Sequence, residues 1–287
     1  MIIVGLYGGL GNQLFQYAVA RRLAHFRKVE LVVDTSWYDT VHENVTPRKY
    51  EMSQYRIEAR GMSTAEIFSR ALFTHRILKR LPLPRRLKLV REKSFPFDPR
   101  ILTLPDNVYL DGYWQSPKYF DDIRDILLEE LTPLEALSEA DEAVAAKIRA
   151  SNAVSIHVRR GDYVSLASAA QTHGLCSLDY YKSAVSQLQR RVQAPVFFVF
   201  SDDPEWTSAN LHFDSPTVYV NHNGPDKAFQ DLRLMSFCQH QIIANSSFSW
   251  WGAWLNRNPG KIVIAPEKWF ADRSDTQDLY PPAWEKI

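Results

Sequence analysis

The hexapeptide His157-Val-Arg-Arg-Gly-Asp162, with two adjacent arginines, sits at the end of the apolar run 153–156. A guanidinium is a planar, permanently charged fork that matches phosphate, so a pair of them where an apolar strand would end marks an anion site. Neighbouring side chains leave a strand in opposite directions. One arginine should therefore meet the anion while the other pairs with Asp162; the competing reading is a surface cluster of Arg159, Arg160 and Asp162. His157 on its own is read as structural.

Three further segments could carry chemistry. Gly8-Gly-Leu-Gly-Asn-Gln13 is a glycine turn that lets backbone approach a ligand, or simply a tight strand-to-helix turn. It does not have the GxGxxG spacing, and Gly11, Asn12 and Gln13 are its candidate contacts. Phe200-Ser-Asp-Asp-Pro-Glu-Trp206 ends an apolar run in two carboxylates. Asp203 before Pro204 reads as a helix N-cap, whereas Asp202 is equally a cap-side structural group or a ligand acceptor. In 244–254, Asn245, Ser246, Ser247 and Phe248 crowd the start of a helix whose free N–H groups and dipole favour phosphate. The alternative there is capping by Ser247 or Ser249, with the three tryptophans as packing.

The elements that must position these groups alternate in type. A strand at 2–7, a helix from the glycine turn and a strand at 29–33 ending at Asp34 make one βαβ unit. Prolines 82, 84, 96 and 99 break the periodicity between about 35 and 106, which predicts loops and short helices there. A strand at 108–111 and a helix to about 131 follow. A second alternating series has strands at 153–158, 196–200, 217–220, 241–244 and 262–265, with helices at 138–150, 178–192, 226–238 and 249–256. Such alternation implies parallel sheets covered on both faces. The fold class expected is α/β with two Rossmann-like domains facing across a cleft. Their boundary falls near 132–151: domains 1–140 and 141–270, then a tail at 271–287 that could pack back on the first domain.

Bulk properties exclude several classes. The 287 residues exceed a usual single core. A net charge of +1 argues against a general nucleic-acid binder. Two cysteines make neither a disulfide framework nor a metal site, so no metal is expected and a reducing compartment fits best. The N-terminus reads as a strand and not a signal peptide. No apolar stretch approaches the roughly 20 residues that span a bilayer, so any membrane contact is peripheral. The stretch 70–93 holds nine Lys/Arg and one Glu between apolar residues. It is read either as a solvated basic face or as a contact to anionic lipid or a lipid-linked glycan.

With these residues placed, the chain resembles the α1,2-fucosyltransferases of glycosyltransferase family 11. The resemblance rests on six segments in order: GGLGNQLFQYA (8–18), PRKYEMSQYRI (47–57), YLDGYWQSPKYF (109–120), HVRRGDYV (157–164), FSDDPEW (200–206) and IIANSSFSWWGAWLN (242–256). It implies the twin-Rossmann GT-B fold, GDP-β-L-fucose as donor, inversion at the anomeric carbon, and no cofactor or obligatory metal. HxRRxD is similar also to the motif of α1,6- and protein O-fucosyltransferases. By that resemblance Arg159 binds the β-phosphate, His157 and Asp231 meet guanine, and Asn12 reaches fucose or the diphosphate. Gly11, Asp202, Asn245, Ser246, Ser247 and Phe248 complete the expected donor contacts.

The reaction so implied is attack on fucose C1 by the 2-OH of a terminal β-galactoside, with Arg159 and Asn12 as catalytic groups. Asp34, Tyr113, Trp114, Gln115 and Asp162 are the acceptor candidates. A general base is not identified by sequence: Asp34, Asp162, His42, Glu51 and the leaving phosphate are the options. Alternatives are another linkage or acceptor (α1,6 or protein O-linked) and a non-catalytic sugar-nucleotide or glycan-binding protein. By analogy the expected setting is bacterial surface-polysaccharide synthesis, in the cytoplasm or peripherally at the inner face of the membrane.

Overall fold

The computed structural model describes residues 1–42, 46–62, 87–161, 164, 172, 174–272 and 275–287. The chain divides into two compact units, Met1–Leu131 with Thr276–Leu279, and Thr132–Asp275 with Tyr280–Ile287.

The first unit is built on a parallel five-stranded sheet in the order β3-β2-β1-β5-β4. Its central strands β1 (Ile2–Gly5), β2 (Leu31–Asp34) and β5 (Val108–Asp111) are continuous apolar runs because both faces are covered. Helix α1 (Leu10–Arg27) is buried along most of its length and closes on Lys28, whose φ of 53° reverses the chain. A short helix α2 (Arg124–Glu130) follows β5. The reading of 35–106 as loops and short helices requires correction. Strands β3 (Arg60–Gly61) and β4 (Lys88–Arg91) lie there, one at each edge of the sheet. Both are short, charged and largely exposed, as edge strands tend to be, so they lack the apolar signature of a buried strand. Most of the basic stretch 70–93 lies outside the described residues; its end forms β4.

The second unit carries six parallel strands in the order β11-β10-β9-β6-β7-β8. They are β6 (Asn152–Val158), β7 (Pro195–Ser201), β8 (Thr217–Val220), β9 (His240–Ile242), β10 (Val263–Ala265) and β11 (Glu285–Lys286). Helices α3 (Glu139–Arg149), α4 (Leu178–Gln189), α5 (Pro204–Asn210), α6 (Ala228–Phe237) and α7 (Ser247–Leu255) connect them. The two-residue period of a strand sorts the core. Val154, Ile156, Val158, Phe197 and Val199 pack with Tyr181, Val185 and Leu188 of α4. Ala153, Phe198 and Phe200 face the other way, onto Val144 and Ile148 of α3 and Leu234 and Met235 of α6. The tail crosses between units in sequence: Asp278 accepts from Phe97 N–H and Lys118 Nζ in the first, and β11 pairs with β10 in the second. Among the described residues no helix is long and apolar enough to cross a membrane.

Candidate active site

Ligands of open parallel sheets bind beyond the carboxyl ends of the strands, where the strand order reverses. In the second unit the chain runs from β6 outward through β7 to β8, and then returns to β9 on the other side of β6. The reversal therefore lies between β6 and β9. The Arg159 turn leaves β6 there and α7 begins soon after β9.

Arg159 is held by Asp202, which follows β7: Nη1 lies 2.9 Å from Oδ2. The other oxygen, Oδ1, accepts from the Arg160 backbone N–H at 2.8 Å. Gly161 makes this closeness possible, since a Cβ there would sit 2.5 Å from Asp202 Oδ2. Both oxygens of Asp202 serve to fix the arginine turn, one on Arg159 and one on the Arg160 N–H. Arg160 turns the other way. It pairs with Asp203 Oδ2 at 3.2 Å and stacks 3.5 Å above the Trp206 ring, while Asp203 N-caps α5 through the Trp206 N–H. The expected partner Asp162 lies outside the described residues. The two arginines are therefore unequal, with Arg160 embedded in the α5 cap. Asp203 and Trp206 are its anchors, a role the sequence signals only as a cap.

His157 is 4% exposed, its Nδ1 has no hydrogen-bond partner, and its ring lies 5.3 Å from that of Phe248 in the first turn of α7. Burial, reinforced by the Arg159 charge, lowers its pKa to about 4 in spite of Asp202, so the imidazole is neutral at physiological pH. Ser246 stands at the N-cap of α7 in extended conformation without a side-chain capping bond. Ser249 Oγ instead donates to the Ala244 and Ser246 carbonyls, so neither reading of a serine cap holds for it. The first N–H groups of α7, including those of Ser247 and Phe248, point toward an anion-favouring end. Asn245 is bonded within the unit. Its Nδ2 donates to the Gly174 and Trp269 carbonyls and its Oδ1 takes the Cys176 thiol, so the side chain ties loops together. Trp250, Trp251 and Trp254 are all buried, as the packing reading requires.

Asp231 lies in the first turn of α6. Burial, with a like charge from Asp141, raises its carboxyl to about 6 although Asn223 donates to it. The carboxyl ends of β6, β7 and β8 are in register, Val158 with Ser201 and Phe200 with Val220. Two strand spacings, about 10 Å, separate the β6 end from the β8 end. Asn223, His222 and Asp141 surround Asp231, and none of the three is marked by the sequence motifs.

In the first unit the reversal falls between β1 and β5. Gly8 has a φ of +77°, and a Cβ would meet Asn12 Nδ2 at 2.8 Å, so glycine is required at that turn. Gly11 is a buried part of α1. Asn12 Oδ1 accepts from Gln115 Nε2 at 2.8 Å, joining the turns after β1 and β5. Gln13 is a lock, with bonds to Gly8 O, Lys49 O and Glu51 N–H. Tyr113 is 42% exposed, edge-on to Tyr7. Two acceptor candidates are largely enclosed within the first unit. Asp34 is 2% exposed and spends its oxygens on Ser36 N–H and Tyr109 O–H. Trp114 is 1% exposed and packs edge-on against Tyr119 in the core. His42 stacks 4.2 Å from Trp37 and bonds the Trp37 carbonyl. Glu92, a half-buried carboxylate just past β4 that no sequence motif marks, accepts from the Tyr113 and Trp114 N–H groups.

The profile of glycosyl transferase family 11 matches residues 96–287. An alpha-1,2-colitosyltransferase of Escherichia coli is 35% identical over 296 residues, covering 100% of this chain and 99% of the relative. The O-antigen biosynthesis glycosyltransferase WbnK of the same species is 34% identical over 294 residues, 95% of this chain and 96% of the relative. A galactoside alpha-(1,2)-fucosyltransferase 1 from Leontocebus fuscicollis is 28% identical over 154 residues, 51% of this chain and 42% of the relative. Among solved structures, a mutant of Arabidopsis thaliana FUT1 in complex with GDP superposes with a TM-score of 0.54 at 10% identity, covering 98% of this chain and 74% of that one. Fucosyltransferase NodZ from Bradyrhizobium gives 0.50 at 15%, covering 88% and 91%. The paired parallel-sheet α/β units are thus those of a GT-B type glycosyltransferase. The chain belongs to glycosyl transferase family 11.

Proposed function

We propose that the chain is an inverting α1,2-fucosyltransferase that moves L-fucose from GDP-β-L-fucose to the 2-OH of a terminal β-galactoside in a surface polysaccharide. The observation that carries this reading is Arg159, fixed by Asp202 at the β6/β9 reversal beside the uncapped start of α7. As the bond from C1 to the β-phosphate oxygen breaks, negative charge grows on that phosphate. A preoriented guanidinium and the α7 N–H groups stabilise it more in the transition state than before. The acceptor oxygen bonds to C1 from the opposite face and loses its proton. With Asp34 committed elsewhere, Glu51, His42 and the leaving phosphate remain as bases among the described groups. Asp231 accepts from guanine N1 and N2 hydrogens, the neutral His157 contacts the same nucleoside, and Asn12, Tyr113 and Gln115 are retained as sugar contacts.

A second reading concerns the donor sugar. One E. coli relative is named an alpha-1,2-colitosyltransferase, which supports GDP-colitose as the alternative donor; colitose is a fucose analogue that lacks one hydroxyl. A site that hydrogen-bonds this hydroxyl rejects the deoxy sugar by orders of magnitude, whereas an apolar site tolerates both. The test is transfer from each GDP-sugar to a β-galactoside, with linkage analysis of the product. Arg159→Ala should cut turnover about 10²- to 10³-fold; near-wild-type turnover refutes the assignment. Contact of the 70–93 stretch with the cytoplasmic membrane face is part of the same proposal, and equal sedimentation with neutral and anionic vesicles would remove it.

A further inference from the structure

We infer that Asn223 is a positioning residue that sets nucleobase selectivity by holding Asp231 in one orientation; this rests on the guanine reading of Asp231 given above. Asn223 lies just past the carboxyl end of β8, where a base would reach. Its Nδ2 has two hydrogens, and both go to carboxylates: 2.8 Å to Asp141 Oδ1 and 2.8 Å to Asp231 Oδ1. One amide therefore fixes the distance between two acidic groups that would otherwise repel.

Asp141 is the immobile partner. Its side chain is 2% exposed, its Oδ2 takes the Ser138 N–H and Oγ in the capping box of α3, and its Oδ1 takes His222 Nε2 at 2.9 Å as well as Asn223. Asn223 is thus pinned to the start of α3 and transmits that position to Asp231. On Asp231 only Oδ1 is used in this network. Oδ2 is left for a ligand N–H, and the anchored Oδ1 keeps a lone pair for a second. An acceptor pair of this kind matches two adjacent N–H groups on one base edge, as guanine presents at N1 and N2.

The selectivity follows from orientation. If the carboxylate is locked, loss of the ligand's exocyclic amine forfeits a charge-assisted bond, about tenfold or more in affinity. If it is free to turn, one N–H can be met in many orientations and the amine matters less.

The test is calorimetric titration of the full-length protein at pH 7.5 with GDP, inosine diphosphate and ADP. Inosine diphosphate keeps the N1 hydrogen and lacks the amine. Wild type is expected to prefer GDP over inosine diphosphate by at least about tenfold. Asn223→Ala should weaken GDP binding and collapse most of that preference. Asn223→Ser, which can donate to only one carboxylate and is the milder change, should give an intermediate ratio. Asp231→Asn should abolish the preference. Two results overturn the inference while leaving the reading of Asp231 intact: both Asn223 variants keep the wild-type ratio although Asp231→Asn loses it, or GDP and inosine diphosphate weaken by the same factor, as mere unfolding of the β8 end would produce. If Asp231→Asn itself keeps the wild-type ratio, the guanine reading fails, and the inference with it.

Discussion

Replacing Asp231 with asparagine should stabilise the protein and disable it as a nucleotide binder. The carboxyl is raised from 3.8 to about 6, chiefly by burial and further by the Asp141 charge. A raised folded-state pKa means that ionisation opposes folding. The penalty is absent below about pH 3.8, grows as pH rises, and is complete above about pH 6. Roughly two pKa units correspond to about 3 kcal/mol; partial solvent screening reduces the expected figure to about 1–2 kcal/mol. Asparagine keeps an oxygen for the Asn223 amide and removes the charge, so it should recover this amount at pH 7.5. For a unit of this size that is about 2–8 °C in Tm. Thermal unfolding of wild type and variant at pH 7.5, 6 and 4.5 reads the effect: a gain at pH 7.5 that shrinks to about a third by pH 4.5. GDP affinity at pH 7.5 should meanwhile fall about 100-fold, because one carboxylate oxygen becomes an NH2 group that opposes a ligand N–H, while the remaining oxygen still accepts from Asn223. A variant less stable than wild type by the same amount at every pH would refute the reasoning, since it would make Asp231 a structural group.

Asp202→Asn should separate binding from turnover. It retains an acceptor for the Arg160 N–H but removes the anion that orients Arg159, so GDP should bind as well or a few-fold tighter while fucosyl transfer slows about tenfold or more; weaker binding with unchanged kcat would contradict this. His157 titrates in the opposite sense to Asp231. Its pKa is depressed to about 4 by burial and Arg159, so its contribution is complete above about pH 6.5 and is lost as pH falls toward 4, up to about 3 kcal/mol. Chemical denaturation between pH 7.5 and 4.5 should show a shallower acid loss in His157→Gln than in wild type, and parallel curves would exclude His157 as the source.

The sequence shows most clearly what both faces of a sheet dictate. Runs such as 153–158 and 196–200 are apolar apart from Ser155 and His157 because odd and even residues enter two different cores, and they appear as strands within one or two residues of their positions. Edge strands follow another rule. Lys88–Arg91 and Arg60–Gly61 are charged and open to water, and their strand character comes from pairing with β5 and β2, which no local pattern records. The site divides in the same way. His157 and Arg159 stand out because a strand end beside basic residues is a local signal. Asn223, His222 and Asp141 are brought together from separate segments, and a polar residue after a strand reads as an ordinary turn.

Candidate residues are also separated by how far their hydrogen-bonding capacity is already spent. Asp34 and Asn245 have the right chemical types, yet their polar atoms are satisfied inside the protein, and a ligand would have to break those bonds. His157 Nδ1 is buried and lacks a partner, which costs stability unless something supplies the bond. Unspent capacity alone does not define a site, since buried side-chain atoms of Tyr55, Trp114 and Ser155 share it. What distinguishes His157 is that Arg159 follows it by two residues in the turn leaving β6 and that its ring meets Phe248 at the start of α7. An open valence, a fixed cation and a helix terminus converge at the reversal between β6 and β9. Convergence at that place, more than the character of any one residue, makes the second unit the donor-binding half of the proposal.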